Sequence, residues 1–175
     1  MSHLPQRKPL RLAGYDYRQF GAYFVTICVH QRLLLFGEVV DEQMRLNAVG
    51  EMVAQCWAEI PSHFDHVALD EYVIMPNHLH GIIVIKISPP TNATPSNATT
   101  ATLQTQTGSL PAIVRSFKAA VTCLLNRSIR TIEHPVWQGR YYEHVIRDDN
   151  DLSRIRQYIV DNPCRWALDA ENPTP

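Results

Sequence analysis

The order of strand-like and helix-like segments along this chain predicts an α+β fold, a ferredoxin-like split βαβ sandwich with an antiparallel sheet and an added C-terminal helix. Three observations carry that prediction. Runs rich in β-branched and alternating residues occur at 21–30, 66–75, 79–86 and just before Ile146. Helical periodicity fills 47–60, the stretch after Gly108 and the stretch after Asp148. The resulting order is strand, helix, strand, strand, helix, strand, helix. In such a sandwich the third strand lies centrally in the sheet, helices cover one face, and the other face is free to carry a site.

Residues 21–30, GAYFVTICVH, are dense in β-branched and aromatic types, as a strand demands. Phe36 to Arg45 reads as a short hairpin turning near Asp41-Glu42-Gln43. From Asn47 to Ile60, the residues Val49, Met52, Val53, Cys56, Trp57 and Ile60 recur at helical spacing, with Asn47 as N-cap and Pro61 as stop. Residues 66–75 alternate as a strand, and the turn through Pro76-Asn77 feeds its antiparallel partner at 79–86. Ser88 to Thr107 then changes to Pro, Thr, Asn, Ala and Gln without a charge, a flexible loop or linker. Beyond it Gly108 or Ser109 opens a helix with Pro111 in its first turn; Ile113, Val114, Phe117, Ala120, Val121 and Leu124 form its stripe. Trp137 to Ile146 reads as a turn and a fourth strand. Asp148 to Asp151 supplies N-caps and an acidic first turn for a last helix, which runs to about Asp161 and is stopped by Pro163.

A length of 175 residues and a hydrophobic content of 45% suit one folded domain with a substantial core. Residues 1–19 read as a basic N-terminal arm, and 20–175 as a single domain carrying the flexible insertion at 88–107. No stretch reaches the length of a membrane span, and the start lacks the apolar run of a secretory signal. Cys28, Cys56, Cys123 and Cys164 are dispersed and fit reduced thiols, so a cytoplasmic location is expected. The net charge of −1 hides a segregation: 1–19 and 115–147 carry balances of +3 and +4, while 41–71 hold seven acids and one base. That pattern permits a basic groove but equally fits ordinary solvated helix faces.

The chemistry-bearing feature is His78-Leu79-His80 ahead of the apolar run Ile82 to Ile85. Residues two apart on a strand share a face, so both imidazoles point into one site while Leu79 points to the core. Downstream, Tyr158 and Asn162 stand one helical turn apart. Two histidines with a nearby hydroxyl and carboxamide describe a metal-assisted tyrosine nucleophile. Each part alone is a weak signal: many HxH pairs bind no metal, and aromatics at helical spacing are usually core. Tyr141 and Tyr142 are competing nucleophiles, facing opposite sides of a predicted strand.

Val73-Ile-Met-Pro-Asn-His-Leu-His-Gly-Ile-Ile83 resembles the HUH block of the single-tyrosine transposases, in which U is a bulky apolar residue. Gly108-Ser109-Leu110 through Lys118, the run Trp137 to Arg147, and Tyr158-Ile159 followed by Asn162-Pro163 resemble three further blocks in the same order. The similarity is closest to the REP-associated branch of bacterial insertion-sequence-like transposases and runs from about Tyr15 to Pro173. It implies that Tyr158, on a catalytic C-terminal helix, attacks a phosphodiester of single-stranded, hairpin-associated DNA. The products would be a 5′-phosphotyrosine link and a free 3′-OH. It also implies a Mg²⁺ or Mn²⁺ ion held by His78, His80 and Asn162, a mixed nitrogen and oxygen set suited to such ions. The family often has Gln where this chain has Asn162, which makes the third ligand the departure to watch. His144 and Glu143 fall in a matching block without a role derivable from sequence.

For DNA phosphates, the candidates are Arg115 and Lys118 on one helix face, Arg140 and Arg147 flanking the fourth strand, and Arg7, Lys8 and Arg11 in the N-terminal arm. The expected partner is single-stranded or hairpin DNA, with no membrane, in a nucleoid-associated bacterial protein. Monomer and homodimer both remain open, since related transposases exchange the tyrosine helix between subunits whereas REP-associated members resemble monomers. Two other readings stand beside this one: a domesticated hairpin binder without turnover, and a small metal hydrolase using His78 and His80 with water.

Overall fold

The computed structural model describes residues 15–86, 108–128, 135–169 and 171–173. In chain order the elements are β1 (Gly21–Cys28), a hairpin of β2 (Gly37–Val40) and β3 (Gln43–Leu46), α1 (Ala48–Ala58), and the single turn α2 (Ile60–His63). There follow β4 (Val67–Met75), β5 (His78–Ile85), α3 (Leu110–Ser128), β6 (Tyr142–Ile146) and α4 (Asp149–Val160), then a 3-10 turn at Pro163–Leu168. Arg7, Lys8, Arg11 and the 88–107 insertion lie outside the described residues.

The main sheet has the order β4-β5-β1-β6, every neighbour antiparallel. This is the split βαβ arrangement, with β5 central as expected. Its register sets Cys28 opposite His78, Thr26 opposite His80 and Phe24 opposite Ile82. The β2–β3 hairpin turns through Asp41 and Glu42, both at positive φ (52° and 60°), the handedness that matches the twist of a two-residue hairpin.

Alternation sorts the sheet into two faces. Tyr23, Val25, Ile27, Leu79, Ile83 and Ile85 point toward α1 and α3 and form the larger core with Trp57, Phe117 and Val121. Asn47 caps α1 by accepting from the backbone N–H groups of Val49 and Gly50. Pro61 does not end that helix; it occupies the first turn of α2, where its missing N–H has no partner to lose. The α3 stripe also differs from expectation. Ala120 is exposed and Leu124 half-buried, while Leu110, Pro111 and Leu125 are buried, because 110, 113, 114, 117, 121 and 125 keep strict helical register.

The second face is not left open. α4, capped by the Asp148 side chain accepting from Asp151 N, lays Ile155 and Ile159 on Phe24 and Ile82. Burial of each such side chain contributes about 1.5–3 kcal/mol, and this small apolar patch is what seats the helix. Arg156 adds a paired hydrogen bond to Asp70, at the irregularity of β4 between Leu69 and Tyr72. Helices therefore cover both faces, the C-terminal one in part.

Candidate active site

His78 and His80 leave β5 on the α4 side and are both buried, at 0% and 3% exposure. Their Nε2 atoms lie 3.0 Å apart. Asn77, held by the backbone, fixes the tautomer of His78. Asn77 Nδ2 donates to the carbonyls of Arg32 (3.2 Å) and Glu171 (2.6 Å), so its Oδ1 is turned to accept from His78 Nδ1–H at 2.8 Å. His78 Nε2 is thereby left with its lone pair facing the site. His80 Nδ1 lies 2.8 Å from Thr26 Oγ1. A hydroxyl both donates and accepts, so Thr26 serves either His80 tautomer: one donates Nε2–H to His78, the other aims a second lone pair beside the first.

Burial pushes the pKa of His78 down to about 4, partly opposed by the Asp169 carboxylate and the Asn162 amide. Burial, with His78 alongside, lowers His80 well below its ordinary value. Both rings are neutral at pH 7, the form that ligates a cation. Asp169, just past the 3-10 turn, brings Oδ2 to 3.9 Å from His78 Nε2. The ligand atoms of His78, His80 and Asp169 all lie within 4.8 Å of one another, so the three could hold a metal ion. Asn162 is 1% exposed, and its Oδ1 has no hydrogen-bond partner among the described residues. A buried, unpartnered oxygen beside the His78 lone pair, with a second from the other His80 tautomer, fits a cation site.

Tyr158 arrives from α4. Its hydroxyl is 3.2 Å from His80 Nε2, and its ring meets Phe24 edge-on at 6.0 Å. Asn162 keeps right-handed helical dihedrals one residue past the helix cap, so it stays one turn above Tyr158 as its spacing predicts. The amide favours a charged imidazole at His78 and an ionised phenol at Tyr158. Burial, chiefly, and then the Asp169 charge nevertheless raise the phenol pKa above its usual value. Tyr142 shares this face of the sheet, opposite Thr26, whereas Tyr141 packs toward the larger core.

No family model matches the sequence. An uncharacterised protein of Haemophilus influenzae is 43% identical over 166 residues, covering 93% of this chain and 91% of that one. A second H. influenzae protein, named "Putative REP-associated tyrosine transposase", is 31% identical over 151 residues, 86% of this chain and 74% of the relative. The chain belongs to the REP-associated tyrosine transposase family. Its fold agrees: the solved structure of a REP-associated tyrosine transposase bound to a REP hairpin is similar over 94% of this chain and 74% of that one, with a TM-score of 0.56 at 17% identity. Family membership makes this a transposase-type, DNA-processing enzyme.

Within this REP-associated transposase, Arg115, Arg140 and Arg147 are exposed. Lys118 is not free in the same way. Its ammonium donates to the carbonyls of Gln138 (2.8 Å) and Arg140 (3.3 Å), and burial lowers its pKa to about 8. It braces the 138–140 turn against α3. His144, for which sequence offered no role, pairs with Asp151 at 2.7 Å and ties β6 to the first turn of α4. Asp169 was invisible to sequence reasoning: a lone acid in a Pro-rich tail carries no periodic or motif signal. Among the described residues, no helix is long and apolar enough to cross a membrane.

Proposed function

We propose that this chain cleaves and rejoins single-stranded, hairpin-associated DNA with Tyr158 as nucleophile. The observation that supports it is the convergence of the Tyr158 hydroxyl on His80 Nε2, at 3.2 Å, where His78 and Asp169 also meet. The phenol oxygen attacks the scissile phosphorus, releasing its proton to solvent and forming a 5′-phosphotyrosine bond as the P–O3′ bond breaks and the 3′ oxygen takes up a proton from solvent. The covalent link conserves the energy of the broken bond, so a 3′-OH can reverse the step and join strands. A divalent cation held by His78, His80 and Asp169 or Asn162, Mg²⁺ or Mn²⁺ by its donor set, would polarise the phosphate and favour the ionised phenol.

The protein's own groups do the positioning. His80 orients the phenol, Phe24 fixes the ring edge-on, and the Asn162 amide steadies the ionised oxygen, offsetting the burial that keeps Tyr158 protonated. Because the tyrosine reaches histidines of its own chain, one copy suffices for the chemistry. Arg115, Arg140 and Arg147, with Arg7, Lys8 and Arg11 of the N-terminal arm, would meet phosphates of a hairpin like the one the solved relative binds.

The test is covalent capture. Labelled hairpin DNA with single-stranded flanks, incubated with Mn²⁺ or Mg²⁺, is expected to give an adduct that survives denaturing electrophoresis and disappears in Tyr158→Phe, with hairpin binding kept. Binding without an adduct in the wild-type protein would leave the domesticated binder as the reading.

A further inference from the structure

We infer that the cleft between β6 and α4 is a subsite for the base of one unpaired nucleotide of the DNA substrate. The cleft has a volume of about 580 Å³ and borders the Tyr158 phenol on the side away from β4. That volume falls in the range of small-ligand pockets, enough for a nucleotide and too little for a duplex. Phe24 forms its floor, with Tyr142 and Tyr158 set edge-on to that ring at 6.3 and 6.0 Å. Tyr142 is 49% exposed and Tyr158 39%, whereas the Phe24 ring beneath them is 7% exposed. Exposed aromatic faces beside a nucleophile suit a splayed-out base, which stacks irrespective of its identity.

The rim supplies charge of the matching sign. Arg154 and Arg165 line the opening, and their side chains are 73% and 64% exposed. Arg154 is paired with Asp151 at 2.6 Å and Arg165 with Asp161 at 3.4 Å. Both guanidinium ends are exposed and such pairs are screened by salt, and Asp151, itself 15% exposed, keeps its 2.7 Å contact with His144 when Arg154 turns to a phosphate. The Asp161 carboxylate also accepts from Gln157 Nε2 at 2.7 Å, so its charge is answered within the helix end. Tyr142 is thus the stacking platform, and Arg154 and Arg165 contact the phosphates on either side of the base. The subsite rests on the Tyr158 reading in one respect: that reading makes the bound nucleotide a neighbour of the scissile phosphate.

The experiment separates the two. Hairpin oligonucleotides with randomised single-stranded flanks are enriched on Tyr158→Phe protein, and each flank nucleotide of a binder is then replaced by an abasic site. Dissociation constants are measured for Tyr158→Phe and for Tyr158→Phe/Tyr142→Ala. One abasic position is expected to weaken binding about tenfold with Tyr142 present and hardly at all once Tyr142→Ala has removed the ring, while Tyr142→Phe keeps the full effect. Losses that add independently at every position, or a pool from which nothing is enriched, overturn the subsite. Adduct mapping with wild-type protein reads the other claim: the coupled position must lie within two nucleotides of the cleaved bond, and a remote position overturns the placement. Coupling without any adduct removes Tyr158 as nucleophile and leaves the base site standing.

Discussion

The two faces of β5 come from one eight-residue strand and are almost equally buried, yet they do opposite work. Leu79, Ile83 and Ile85, with Gly81 under the Trp57 indole, meet α1 and α3 in the larger apolar core. His78 and His80 meet Thr26, Asn77, Asn162 and Asp169, polar groups taken out of water without an apolar reward. The first face stabilises the fold through contact area. The second costs stability, because neutral imidazoles and an unpartnered amide oxygen are buried beside a group that could hold a metal ion. A period of two residues lets one strand hold both, with no loop between packing and chemistry.

Substitutions on the two faces should therefore separate metal affinity from stability. The largest effect belongs to the polar face: His78→Ala and His80→Ala are expected to weaken Mn²⁺ binding by more than about 100-fold, beyond the range of outer-sphere changes, and to remove the DNA adduct. Calorimetric titration measures the first and denaturing gels the second. On the apolar face, Trp57→Ala should cost about 3–5 kcal/mol in urea denaturation and leave the Mn²⁺ affinity of the folded protein nearly unchanged. A joint loss there would break the division. Asn77→Ala, which frees the His78 tautomer, is expected to lower Mn²⁺ affinity about 10–100-fold with a modest loss of stability.

Acid gives the smallest effect and the most specific one. The pKa of His78 is depressed to about 4 in the folded protein against about 6.5 in the unfolded chain. The unfolded state therefore binds the extra proton first, and stability is lost as pH falls from about 6.5 towards 4. Denaturation midpoints measured across that window should slope downward with acid, and His78→Gln should make the slope shallower, leaving the share of the buried His80.

The apolar face was the more legible in sequence. Strand alternation, the α1 stripe and the Asn47 and Asp148 caps are local signals, and local chemistry decides them. The site was legible only where its members are neighbours in the chain: His78 with His80, and Tyr158 with Asn162. Asp169 was missed because its approach to His78 is a long-range closure by a segment without periodicity. Lys118 looked like a phosphate contact because composition records its charge and not the two carbonyls it serves. The burial of the histidines was unexpected for a related reason. A sheet face reads as open until α4, whose four-membered apolar patch only the fold assembles, lies down on it.

The notch at Gly81 has a consequence for the imidazoles on the reverse side. A β-carbon there would collide with Cζ2 of Trp57, so the indole rests in a gap one residue wide. Sliding the strand by one residue would turn its greasy side to Tyr158 and Asn162, but sliding by two would preserve every facing and escape that penalty. The indole opposes it, together with the short Pro76-Asn77 turn, since Leu79 or Ile83 would then be driven into the ring. A tryptophan remote from the chemistry thus acts as an indexing peg, and the placement of the imidazole pair beneath α4 is gauged from the far side of the sheet.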